Sequence, residues 1–173
     1  MRFFDAAESA KILERSNRSS EAPLELRVDF SDCLDRSAPL SRLIVSMLGQ
    51  DQPNFLWIRE FGIWPSLENW DLFNSLRAAS GSVDQSLSEV PGHEFAPNEF
   101  GRTVSYLQIV LLNGWGGVLI GPGNQQRIAI SHDSWLFIKL SAELPAQKIL
   151  IDEFGLPSRL EQAPRSLVAV QVD

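Results

Sequence analysis

The sequence predicts a single α+β domain in which a mainly antiparallel sheet carries helices packed on one face. Three observations lead there. Residues 24–30 alternate apolar and charged side chains, helix-like periodicity dominates the chain up to residue 113, and the last third is a series of short apolar runs separated by turn residues. No flexible linker divides the 173 residues, so residues 1–173 are taken as one globular domain.

The first helix is expected over residues 6–15. Asp5 can cap it and Glu8 stands three residues later, while Phe3, Ala7, Ala10 and Leu13 fall on one stripe. In residues 24–30, Leu24, Leu26, Val28 and Phe30 face one side and Glu25, Arg27 and Asp29 the other, as in a half-buried strand. Ser37 can cap a second helix, with Pro39 in its first turn and Gly49 just past its end. Leu40, Leu43, Ile44, Met47 and Leu48 give that helix its apolar face.

After a turn at residues 51–54, residues 55–64 read as a strand that Pro65 ends. Ser66 then caps a third helix running to residue 79, with Leu67, Trp70, Phe73 and Leu76 inward and Gly81 as its stop. Residues 82–98 read as irregular because Pro91, Gly92 and Pro97 break any long element. Beyond Asn98 two readings compete. Phe100, Val104, Leu107 and Leu111 suit a helix capped by Asn98, whereas Asn113-Gly114 is a strong hairpin turn. The helix is preferred, because the run is long for a strand.

Strands follow at residues 118–120, 127–130 and 135–140, with turns at 121–124 and 131–134. Closely spaced sequential strands pair antiparallel. Pro145 can open a helix toward Phe154, although residues 149–151 also suit a strand, and residues 167–172 read as a last strand. A mixed βαβαβ sheet over residues 24–120 is the alternative architecture. Its path lacks the glycine-rich turn a dinucleotide needs.

Charge narrows the function. Twenty-two acidic residues against fifteen basic ones give a net charge of −7. That balance argues against a phosphate-neutralising, nucleic-acid-binding surface and favours encounter with basic partners. Cys33 is the only cysteine, so no disulfide can form within the chain, as suits a reducing cytoplasm of bacterial type. Charges at Asp5, Glu8 and Lys11 interrupt any secretory signal, and the most apolar stretch, residues 106–121, is too short to span a bilayer. No membrane association is expected.

Five glycines between residues 114 and 123 invite a phosphate-loop reading, but a strand follows them and no Lys-Ser or Lys-Thr pair is present. No cofactor is assigned. Each of the two histidines precedes a carboxylate, in His93-Glu94 and His132-Asp133. Were the two pairs to converge, they could offer general acid–base chemistry or two nitrogens and two oxygens to a metal. No spacing places two such ligands on one element, so neither a catalytic residue nor a metal ligand is assigned. Cys33, between Asp32 and Asp35, is poorly placed to form a thiolate, and no Gly-x-Ser-x-Gly elbow occurs.

The densest unusual stretch is residues 57–73, WIREFGIWPSLENWDLF, which holds three of the five tryptophans among acidic residues. A core seam explains most of these rings. A binding corner is the functional reading, with Glu60, Trp64, Glu68, Trp70 and Asp71 as its contact residues. The expectation is therefore a small acidic binding protein, an immunity-like or regulatory module engaging a basic protein partner. Toxin-neutralising immunity proteins are acidic single domains of this kind, a likeness of class only. A small metal-dependent or acid–base enzyme built on His93, Glu94, His132 and Asp133 is the alternative.

Overall fold

The computed structural model describes residues 1–18, 25–49, 51–61, 70–81, 85–124, 126–139, 152, 154–156 and 158–161. In chain order the elements are β1 (Arg2–Phe4), α1 (Ala6–Arg18), β2 (Glu25–Asp29), α2 (Ser37–Met47), β3 (Asn54–Glu60), α3 (Trp70–Ala78), β4 (Gly92–Phe95), α4 (Phe100–Leu112), β5 (Gly116–Ile120), β6 (Arg127–Ser131), β7 (Trp135–Lys139) and β8 (Ser158–Glu161). The strands form one eight-stranded sheet ordered β1-β4-β3-β5-β6-β7-β2-β8. Every adjacent pair is antiparallel, which settles the class as α+β and removes the mixed-sheet alternative.

Alternation decides which face each strand residue covers. Leu56 and Ile58 of β3 join Leu26, Val28, Leu119, Ile128, Ile130, Leu136 and Ile138 in the main core, with α2, α3 and α4 packed over them. Phe55 and Trp57, one residue out of step, face the other way and meet Val118, Ile120, Ala10 and Leu13. Three helices thus share the expected covered face, and α1 covers part of the reverse face. In β2, Leu26 and Val28 are buried while Arg27 and Asp29 are only partly covered, as the charge alternation requires. Arg27 lays its guanidinium 3.7 Å from the centroid of the Trp135 ring.

Caps and turns set the element boundaries. The Asp5 side chain accepts from Glu8 N at 2.8 Å and Glu8 Oε2 accepts from Asp5 N at 3.2 Å, the reciprocal box expected at the start of α1. Ser37 does not cap α2. Arg36 holds that position and makes no side-chain capping bond to the helix, and Ser37 is already helical and buried. The competition after Asn98 resolves as helix, because Thr103, Val104, Tyr106, Leu107, Val110 and Leu111 bury one face of α4. Asn113 N donates to Ile109 O at 3.0 Å, and Gly114, at φ 59°, turns the chain into β5.

Three strands lie where none was expected. β1 and β8 are short edge strands, and β4 sits inside the stretch read as irregular. Its four residues are bounded by Pro91 and Pro97, too few to show a period, and they owe their conformation to pairing with β1 and β3. A Cβ at Gly92 would meet Phe4 Cβ and Phe55 Cζ at 3.0 Å and collide with Ser9 Oγ, so α1 can lie this close only over a glycine. The readings for residues 145–151 and 167–172 lie outside the described residues.

Candidate functional site

The end of β3 is shaped by a register break. Trp57 pairs with Val118 and Ile58 with Gly117, yet Glu60 pairs with Gly116, so the ladder shifts by a residue at Arg59. Gly117 lies so close to β3 that a Cβ there would stand 2.6 Å from Trp57 O. At Gly116 the space a side chain would fill is taken by the Glu60 carboxylate, which folds across the glycine. That path carries Glu60 over β5 to the turn between β6 and β7. There Glu60 Oε2 lies 2.9 Å from His132 Nδ1. A carboxylate only accepts, so Nδ1 carries the hydrogen and Nε2 is the ring's free base position when the imidazole is neutral.

The turn supplies the third member. Ser131 Oγ accepts from Asp133 N at 3.1 Å, and Ser134, at φ 65°, closes the turn back into β7. This places Asp133 Oδ1 3.5 Å from His132 Nε2, close enough for ion pairing once the ring is protonated. The hydrogen bond to Glu60 is the main cause of an upward shift in the His132 pKa. The charges of Glu60 and Asp133 add to it, and partial burial opposes it. Glu60 and His132 are each about one-third exposed, at 33% and 32%, while Asp133 is largely open at 64%. The arrangement can hold and release a proton, and it presents two carboxylates at one corner of the sheet.

His93 belongs elsewhere. It pairs with Leu56, four residues along β3 from Glu60, which separates the two positions by roughly 13 Å at about 3.3 Å per residue. The ring is enclosed by Phe3, Phe73, Phe95 and Tyr106, and among the described residues neither nitrogen has a partner at hydrogen-bonding geometry. Burial drives its pKa down to about 3, with the nearby Arg77 guanidinium acting in the same direction and the Leu56 and Pro91 backbone weakly opposing. Glu94, the next residue along the strand, points to the other face and meets Arg2 Nη1 at 3.3 Å. The two histidine–carboxylate pairs therefore do not converge. Among the described residues no group of three or more His, Cys, Asp or Glu side chains could hold a metal ion.

Of the five contact residues expected from sequence, Glu60 is half-buried at the His132 corner and Asp71 is exposed in the first turn of α3. Trp70 begins α3, but its side chain lies outside the described residues, as do Trp64 and Glu68. Trp57 is buried beneath α1, the core role anticipated for most of these rings. The pairing of His132 with Glu60 escaped the sequence reading, which offered only the adjacent Asp133. Its one visible trace is the Gly116-Gly117 pair, and that has meaning only once β5 is known to lie beside β3.

No helix among the described residues is long and apolar enough to cross a membrane. No family model, curated protein or solved structure matches the chain, so the corner stands on its own chemistry.

Proposed function

We propose that this protein is an acidic binding module, immunity-like or regulatory, that engages a basic protein partner through the corner where β3 ends. The supporting observation is the cluster of Glu60, His132 and Asp133, two partly or largely exposed carboxylates flanking one imidazole in a chain of net charge −7. Glu60 and Asp71 bracket the tryptophan-containing stretch in sequence, and Trp64, Glu68 and Trp70 complete the proposed contact set. A lysine- or arginine-bearing partner would meet negative charge there, and tryptophans are the residue type that most often anchors such interfaces.

Zero-length carbodiimide coupling after co-purification from the native host tests this reading. Carboxylates of Glu60, Asp71 or Asp133 should join to lysines of one basic protein, and Asp71→Lys should weaken the complex without unfolding the chain. Coupling confined to other acidic residues, with Asp71→Lys and Glu68→Lys both silent, would move the interface elsewhere.

A second reading has one observation in its favour. A carboxylate that holds His132 Nδ1–H leaves Nε2 as a general base, the orientation used in proton-transfer chemistry. It predicts turnover of some ester or phosphate substrate that His132→Gln abolishes. Activity retained by His132→Gln would dispose of it.

A further inference from the structure

On the reverse face of the sheet, α1 and the turn after β5 border an open-mouthed pocket of about 310 Å3. Its floor is apolar: Phe4 and Phe55 meet edge to face at 5.6 Å, and Ile12 and Ile120 flank them. Its rim is cationic. Arg2 stands on one side, its guanidinium 5.3 Å from the Phe4 ring and 3.3 Å from Glu94 Oε2. Arg15 of α1 is also in the lining, and among the described residues it has no carboxylate partner. With Glu94 neutralising Arg2, the mouth retains the Arg15 charge, a local reversal of sign in a chain of net charge −7.

The volume decides the size of what could enter. Ligand pockets run from about 300 to 1,000 Å3, so this one matches a single ring with a short chain. The lining decides its chemistry. An apolar body would cover the floor, and an anionic head would meet the guanidinium of Arg15, which is planar, permanently charged and suited to carboxylates. We propose that this pocket binds a small organic carboxylic acid, its apolar body on Phe4, Ile12, Phe55 and Ile120 and its carboxylate on Arg15. The site lies at the Asn54 end of β3, the Glu60 corner at the other end. Six residues of strand, roughly 20 Å, separate them, so ligand binding here is independent of the partner surface.

Nuclear magnetic resonance titration of the full chain with benzoate, acetate, benzyl alcohol and phenyl phosphate tests the assignment. Benzoate should shift the Phe4, Ile12, Phe55 and Gly121 amides saturably. Acetate, lacking the body, and benzyl alcohol, lacking the charge, should each bind at least about tenfold more weakly. Arg15→Gln, at an exposed helix position, should weaken benzoate by about tenfold or more while leaving the rest of the spectrum in place. Ile12→Trp, which fills the pocket, should abolish the shifts. Benzyl alcohol binding as tightly as benzoate, with Arg15→Gln silent, would overturn the carboxylate contact. Phenyl phosphate binding about tenfold tighter than benzoate would also overturn it, reassigning the head group to phosphate. Absence of saturable benzoate shifts at these amides would overturn the site itself.

Discussion

At the scale of single residues, His93 is shut inside an aromatic enclosure, and its protonation is suppressed to about pH 3. Above the ordinary histidine pKa of 6.5, both folded and unfolded states hold it neutral and it contributes nothing to pH dependence. Below that value the unfolded chain takes a proton that the folded chain refuses. Stability should fall progressively from about pH 6.5 toward 3, by on the order of a few kcal/mol. His93→Leu, which keeps an apolar side chain inside the aromatic enclosure, should flatten that acid limb in urea unfolding while changing stability near neutrality by only about 1 kcal/mol. An unchanged acid limb would assign the loss to other groups. His132 runs the opposite way. Its raised folded pKa gives stabilisation that is complete below 6.5 and disappears as pH rises through the folded value. Gly116 is what admits Glu60 to the ring, so Gly116→Ala should displace the carboxylate and return His132 to an ordinary titration. A proton-resonance titration of His132 reads this directly, and a shift that survived Gly116→Ala would show that Glu60 reaches the ring by another path.

At the scale of elements, β2 was legible because its two faces differ so sharply in polarity. Val28 is fully buried between β7 and β8, so Val28→Asp should cost at least about 3 kcal/mol and leave little folded protein. Arg27→Ala on the opposite face should cost only about 1 kcal/mol, the scale of its stacking on Trp135. Comparable losses from both, measured by thermal unfolding, would contradict the two-faced reading. α4 was legible for a related reason, since its apolar positions recur at helical spacing over three turns. β1, β4 and β8 were not. Strands of three or four residues are shorter than any period can reveal, and they exist because a neighbouring strand offers backbone partners.

At the scale of the whole molecule, the sheet does not follow chain order. The hairpins β5-β6-β7 are sequential neighbours, but β2 is inserted between β7 and β8, and β4 lies between β1 and β3. Such non-local pairing closes long loops before it stabilises anything, so folding should be slow for a domain of this size, in milliseconds to seconds. The net charge acts at this scale too. Raising ionic strength from 0.01 M to 1 M shrinks the screening length from about 30 to 3 Å. Association with a basic partner should then slow steeply while dissociation changes little. Stopped-flow rates that do not depend on salt would remove charge steering from the account.

Local sequence was enough for the α+β class, the two-faced character of β2, the β5-β6-β7 run and the N-terminal cap of α1, because each rests on periodicity or turn chemistry that neighbouring residues carry among themselves. It also marked the two imidazoles, since histidine is the side chain whose ordinary pKa lies nearest neutrality. Where each imidazole sits, and beside what, follows from long-range pairing. Strand order gave Glu60, not a neighbour in sequence, to His132. The pleat sent His93 inward and Glu94 outward, and α1 crossing β3 beside the turn after β5 created a pocket mouth for Arg15. Those are contacts between residues far apart in the chain. They depend on register and on which strand lies beside which, and local propensity leaves both undetermined.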